Sequence, residues 1–216
     1  MTRIICISDT HEHHEELGIS RMPKGDILIH AGDFTNIGQP KAIAEFGAWL
    51  RALDYKHKIV IAGNHDILFQ KDPLKARRVL KDACPDVIYL QDEGVEVMGL
   101  KIWGSPWTPE FMEWAFMERR GFMKEKWKHI PTGLDILVTH GPPAGGLGGL
   151  LPMFREDVGD GELRNAIIEK HPKVHVCGHI HEGYGDRQYD GMRFVNAAMY
   201  HDFGLHKGRE PIAIDL

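Results

Sequence analysis

The sequence predicts an α/β fold with mixed sheets, and three observations carry that expectation. Short apolar runs alternate with amphipathic segments, the rhythm of strands joined through helices into layers. Two tight-turn signals, at Gly99 and in "YDGM" from Tyr189 to Met192, return the chain by hairpins, so some strands must pair antiparallel. Hydrophobic residues make 43% and charged residues 26% of the 216, ordinary globular usage that sets aside disordered and fibrous classes. This length suits one domain over 1–216 with a substantial core.

Strands are expected at Arg3 to Ser8, Asp26 to Ala31, Lys58 to Ala62, Val87 to Leu90, Asp135 to Thr139 and Val174 to Gly178. Between them, Ile43, Phe46, Leu50 and Leu53 share one stripe of a helix after Pro40, and Leu163, Ile167 and Ile168 do the same before His171. Val95 to Met98 and Leu100 to Trp103 pivot near Gly99 as the first hairpin. The stretch "GPPAGGLGGLLP", Gly141 to Pro152, reads as a mobile surface loop; no Gly-Lys-Ser/Thr follows, so it is not a Walker A loop.

Net charge and cysteine usage exclude several classes. A formal charge of -5 gives no basic patch for a long nucleic acid. Cys6, Cys84 and Cys177 are odd in number and far apart, which reads as buried thiols in a reducing cytoplasm. No apolar run approaches the roughly 18 residues of a membrane span, and the first residues do not read as a signal peptide. A cytoplasmic protein without a membrane partner is expected.

The chain is rich in histidine, with 14, and its polar motifs follow the carboxyl ends of expected strands. "SDTH" follows "IICI", "GDF" follows "ILIHA", "GNHD" follows "IVIA", "THG" follows "DILV" and "GHIH" follows "VHVC". Ligands of open α/β sheets collect outside those ends, so five loops should converge on one site. They bring Asp9, His11, Asp33, Asn64, His65, Asp66, His140, His179 and His181. Imidazole and carboxylate donors without thiolate suit divalent Mn, Fe, Zn or Ni. These donors exceed one open four-coordinate site, whereas two ions sharing a carboxylate would use them all. His179 and His181 alternate with Ile180 and so share a face.

In this order and with these gaps, the five motifs resemble the signature of the calcineurin-like metallophosphoesterase superfamily. "IWGSPW" and "GHIHEGYG" further resemble its small metallophosphodiesterase subfamily, the type of the brain protein containing a metallophosphoesterase domain. The resemblance implies a four-layer α-β-β-α sandwich of two mixed sheets flanked by helices. It implies a first metal on Asp9, His11, Asp33 and His181, and a second on Asp33, Asn64, His140 and His179, with Asp33 bridging. The ions would be manganese first, with Fe, Zn, Ni, Co or Mg as alternatives. By the same resemblance a hydroxide between the metals attacks phosphorus and His65 serves the leaving oxygen. Asp66 is a candidate to orient His65.

The substrate expected is a small phosphodiester, including cyclic nucleotides. Protein phosphatases of the superfamily carry an Asp-Arg pair after the second motif where this chain reads "GDFTNIG". A dianionic monoester gains from such a guanidinium fork, a monoanionic diester less; Arg155 or Arg187 could still supply one. A nuclease, a phosphomonoesterase and a noncatalytic metal-binding scaffold are the alternatives. The aromatic stretch Trp103 to His129 reads mostly as core packing of an edge helix; the sharper reading is that Trp107 or Phe111 lines the cleft and stacks a nucleobase. His13 and His14 are expected on a solvated turn, His57, His129, His171 and His206 beside elements, and His30 and His201 as supports behind the ligands.

Overall fold

The computed structural model describes residues 1–151, 156–201, 204–205 and 209–216, and organises them around a five-stranded and a six-stranded sheet. The first sheet holds β1 (Arg3–Ile7), β2 (Ile27–His30), β3 (His57–Val60) and β4 (Val87–Tyr89), all parallel. The second holds β5 (Glu93–Val97), β6 (Leu100–Ser105), β7 (Ile136–Thr139), β8 (Val174–Cys177), β9 (Gly185–Tyr189) and β10 (Met192–Asn196). Its parallel centre runs β10, β8, β7, β6, with β9 and β5 antiparallel at the edges. A final strand, β11 (Ile212–Asp215), pairs antiparallel with β1 and closes the first sheet's edge. Both sheets are mixed, the second through the two expected hairpins and the first through β11, which no turn signal announces.

Alternation along the strands builds three cores. Ile5, Ile7, Leu28 and Val60 face helices α1 (Pro40–Ala52) and α3 (Pro73–Ala83), the latter entered through the single turn α2 (Leu68–Lys71). On the other face, Ile4, Cys6, Ile27 and Ile29 meet Ile102, Ile136, Val176 and Val195 of the second sheet. The second sheet's far face, with Trp103, Leu137 and Phe194, packs on α4 (Met123–Trp127) and α5 (Gly161–Lys170). The order is therefore helix, sheet, sheet, helix. Because the central strands are covered on both faces they read as continuous apolar runs rather than alternating ones, and each fully buried Ile contributes about 1.5–3 kcal/mol.

The hairpin turns form as the sequence indicates. Met98 and Gly99 take φ 53° and 76°, and Asp190 and Gly191 take 50° and 73°, left-handed pairs that match the twist of two-residue hairpins. Helix ends follow their residues too: Asp72 caps α3 through the Lys75 amide, and Asp160 caps α5 through that of Glu162. The three cysteines are buried and free; burial raises the Cys6 thiol to about 12 and the Cys84 thiol to about 11.

Several expectations are corrected. Leu163 and Ile167 are buried but Ile168 is 45% exposed, since it lies a further 100° round α5. Trp103 to His129 is not one helix: Gly104, Pro106, Pro109 and Gly121 interrupt it, Thr108–Pro109 pairs with Met117–Glu118, and only Met123–Trp127 is α-helical. The glycine-rich loop is anchored instead of lying free. Leu147 enters the third core, the Gly145 and Gly146 amides donate to Asp157, and Asn196 donates to the Gly148 carbonyl; Pro152 lies outside the described residues. His14 is 3% exposed, its ring packed on Phe46 and Trp49, so only His13 keeps the solvated position. No helix among the described residues is long and apolar enough to cross a membrane.

Candidate metal centre

The motif loops leave β1, β2 and β3 of one sheet and β7 and β8 of the other, and meet where the two sheets are pinned together. The Met199 amide donates to the Ser8 carbonyl, and the His179 amide to the Asp9 carboxylate, both bonds running from one sheet to the other. Asp9, His11, Asp33 and His179 all adopt positive φ, at 52°, 42°, 56° and 65°. Such conformations cost about 1–3 kcal/mol each for a residue with a side chain and persist only where the surroundings enforce them. Here the enforcement is visible: the Asp9 amide donates to the Gly32 carbonyl and the His11 amide to that of Asp33. Gly63 and Gly178 let these loops close, since a Cβ there would stand 2.2 Å from Asp33 Oδ1 or 2.0 Å from Asp9 Oδ2.

The donors fall into overlapping groups. Ligand atoms of Asp9, His11 and His181 lie within 4.8 Å of one another, as do those of Asp33, His140 and His179, and those of His11, Asp33 and His65. Asp33 thus belongs to two groups and His11 ties the first to it. His181 Nε2 is 3.2 Å from Asp9 Oδ1, and His140 Nε2 is 3.2 Å from Asp33 Oδ2 and 2.9 Å from Asn64 Oδ1. His179 sits with the Asp33 and His140 group and His181 with the Asp9 group, the division expected from the motifs.

The chemistry of this donor set fits divalent cations. His140 Nδ1 lies 2.9 Å from the Ala31 carbonyl, which only accepts, so Nδ1 carries the proton and the Nε2 lone pair faces two oxygens. Three electron-rich atoms converging in a buried site call for a positive charge between them. Burial works against a charge on His140, but the Asp33 carboxylate outweighs burial and lifts its pKa to about 9. His11 Nε2 is a second sign, buried without a hydrogen-bond partner among the described residues. Burial opposes the charge on Asp9 and Asp33 as well, yet His181 beside the one and His140 beside the other hold both carboxyls well below the usual range. Burial, reinforced by His140, depresses His179 to about 3, leaving a neutral ring with a lone pair to donate.

Behind the ligands, His30 accepts the Gly32 amide at Nδ1 and reaches Thr10 Oγ1 from Nε2 at 3.0 Å, the supporting place expected of it. The side chain of His201, and all of His206 and Arg155, lie outside the described residues. Asp66 is corrected. Its carboxylate forms no hydrogen bond to the His65 ring and instead accepts from the amides of Asp33, Thr35 and Gly63 and from Thr35 Oγ1. Adjacent side chains point apart, so Asp66 braces the Asp33 and Gly63 loops while His65 faces outward, its Nδ1 2.8 Å from the Asn36 carbonyl.

A cleft of about 490 Å³ opens over Asp33, Asn64, His65, His179 and His181. Phe111 lines it, 63% exposed, as expected. Trp107 does not: its indole N–H donates to Asp92 and its face carries the Lys126 ammonium at 3.5 Å, which hold it in a separate depression beside Glu125 and His129. Arg187 donates to the Gly183 carbonyl and is also absent from the lining. Sequence reasoning missed Trp114, whose ring lies 4.1 Å from that of His65, and Arg120, which lines the cleft while donating to the Val158 and Gly159 carbonyls. The only signal for either was membership of an aromatic-rich segment interrupted by proline.

Comparison with known proteins agrees with this geometry. The chain is 41% identical over 236 aligned residues to human metallophosphoesterase domain-containing protein 1, covering all of this chain and 71% of that one. It is 36% identical to the UPF0046 protein T07D4.2 of Caenorhabditis elegans, over 99% of this chain and 60% of that one. The crystal structure of TT1561 from Thermus thermophilus shares the fold, with TM-score 0.65 at 14% identity over 90% of this chain and 88% of that one. The family profile for calcineurin-like phosphoesterase matches residues 2–183, a stretch that contains every residue of the donor groups. This chain therefore belongs to the calcineurin-like phosphoesterases, a family of metal-dependent phosphoester hydrolases.

Proposed function

We propose that the chain is a dinuclear phosphodiesterase acting on small diesters, with cyclic nucleotides among the candidate substrates. The observation that carries this reading is the pair of donor groups linked through His11 and Asp33 beneath a cleft edged by His65. Asp9, His11, Asp33 and His181 would hold one ion and Asp33, Asn64, His140 and His179 the other, with manganese the first choice for donors of this hardness. When bound, two divalent cations supply Lewis acidity at phosphoryl oxygens and lower the pKa of water from about 15.7 to about 7.

The chain's own groups do the rest. With Nδ1–H committed to the Asn36 carbonyl, His65 exchanges protons through Nε2, and in its protonated form gives that proton to the leaving oxygen. The Asn64 amide NH2 donates to a phosphoryl oxygen while its Oδ1 stays on the His140 side. Phe111 offers an exposed face to a flat ester group. Arg120 is tethered to two carbonyls, and Asp33, Glu110 and Glu156 share the described lining with it, a setting better matched to a monoanionic diester than to a dianionic monoester.

The test is an assay of mono- and diesters, including 2',3'- and 3',5'-cyclic nucleotides, on metal-stripped protein supplied with Mn, Ni, Zn or Mg. Turnover of diesters over monoesters, saturating at two equivalents of metal, is expected. Preference for monoesters would overturn the diester reading, and saturation at one equivalent the dinuclear one. Bound metal without turnover of any ester would turn the reading to a scaffold.

A further inference from the structure

We infer that Trp114 is a positioning residue for His65: its indole face holds the imidazole in the orientation that directs Nε2 at the leaving oxygen. This deepens the function proposed above and rests on the proton role given there to His65. The two rings lie 4.1 Å apart between centroids and 32° from parallel, a tilted face contact close enough for direct packing. Among the described residues the His65 ring has few other restraints. It is half-buried at the cleft, its one side-chain hydrogen bond among those residues running from Nδ1 to the Asn36 carbonyl, with the His11 ring edge-on at 4.8 Å. One hydrogen bond fixes a point on the ring and leaves a pivot about it; contact on the ring's face removes that pivot.

Trp114 is itself delivered by backbone. The Ala115 amide donates to the carbonyl of Asn64, the residue before His65, so the indole is tied to the loop that carries the imidazole. The Phe116 amide donates to Gln70 Oε1, and Thr108 and Glu110 amides donate to the Phe116 and Glu118 carbonyls, closing the base of the excursion. Phe116 takes φ 53°, a left-handed conformation held by burial of its ring in the first core. The chain sustains backbone strain next to Trp114 and commits an inter-loop bond to seat it. The excursion from Thr108 to Glu118, which lies outside the five motifs, therefore completes the machinery they begin.

The test uses methyl aryl phosphodiesters whose phenols range from p-nitrophenol to unsubstituted phenol, turned over by Mn-loaded protein. A good leaving group needs no proton and a poor one does, so a displaced His65 is felt only with the latter. For Trp114→Ala we expect kcat to fall about tenfold or more with phenol as leaving group, part of the roughly 10²–10⁴ a placed proton donor supplies, and by no more than about twofold with p-nitrophenol. Trp114→Phe should restore most of the loss. The double variant with His65→Ala should be no slower than His65→Ala alone, because both remove one function.

Equal losses across the series in Trp114→Ala, or a change confined to KM, would overturn the inference while leaving the His65 role standing. A flat leaving-group dependence in His65→Ala itself would instead overturn the underlying reading. A second readout does not depend on turnover. In a crystal structure of metal-free Trp114→Ala, the His65 ring should leave the Asn36 carbonyl or occupy more than one orientation. An unmoved, singly oriented ring would refute the inference whatever the kinetics.

Discussion

Replacing Gly178 with alanine should damage the first metal position specifically. Gly178 lies outside the left-handed region, so alanine meets no backbone penalty and the whole effect is steric. The new Cβ would stand 2.0 Å from Asp9 Oδ2, 2.1 Å from Ser8 Oγ and 2.7 Å from Ser8 Cβ. Contact between such atoms begins near about 3.4 Å, so something must move by more than about 1 Å. Neither neighbour yields cheaply. Both are fully buried, both Asp9 carboxylate oxygens accept the His179 amide at 3.0 Å, and Ser8 Oγ donates to the Gly32 carbonyl. Overpacking of this kind costs about 1–3 kcal/mol. For a chain of this size that is a fall of roughly 2–12 °C in Tm, or, taken up as metal affinity, roughly 5- to 150-fold. Calorimetric metal titration together with thermal unfolding of the metal-free protein measures both shares. Gly161→Ala is the control: its Cβ meets open space at the first residue of α5, and the substitution should be neutral or stabilising by up to about 1 kcal/mol. If Gly178→Ala binds two equivalents with unchanged affinity and melts like the parent, the packing of Asp9 against this glycine is not what shapes the site.

The remaining predictions concern other parts of the same construction. His65→Ala should retain metal and lose about 10²–10⁴ in kcat; loss of metal in that variant, read by elemental analysis, would place His65 among the ligands instead. His179→Ala should deplete the ion beside His140 and His181→Ala the one beside Asp9, which anomalous scattering from each variant crystal distinguishes; depletion of both ions in both variants would contradict the division. Asp66→Asn keeps the shape but has one oxygen where the carboxylate takes four donors, so urea unfolding should show a loss of at least about 2 kcal/mol. His175 is buried, with its pKa pushed down by burial to about 3 and Nε2 on Thr139 Oγ1. Since the unfolded chain takes up that proton near 6.5, stability present above 6.5 is lost as pH falls toward 3, about 2 kcal/mol of it by pH 5. Urea midpoints at pH 7 and 5 should therefore differ less in His175→Gln than in the parent, and an equal difference would contradict this.

What the sequence determined by itself was periodic or local. Continuous apolar runs marked β1 to β3, β7 and β8 because parallel strands covered on both faces have no polar side. The Asp-Gly and Met-Gly turns marked hairpins because two left-handed residues suffice to reverse a strand. The candidate donor residues were legible because each is fixed to the end of such a strand, so ordering the strands orders the donors. His179 and His181 could be assigned to different groups since their spacing is set by two covalent steps.

Tertiary structure alone decided the rest. Trp114 reaches His65 and Trp107 turns to Asp92 although both belong to one aromatic stretch, because Pro109 and the pairing of Thr108–Pro109 with Met117–Glu118 turn the chain back between them. Asp66 braces loops rather than its neighbour, because side chains one apart diverge and its carboxylate is claimed by three amides and a hydroxyl. His14 is buried in a run that reads as solvated, since Phe46 and Trp49 arrive over it from a helix distant in sequence. The positive φ at Asp9, His11, Asp33 and His179 has no local signature: Asp and His tolerate it better than most side chains, but only the surrounding loops at the meeting of the two sheets hold these four in it.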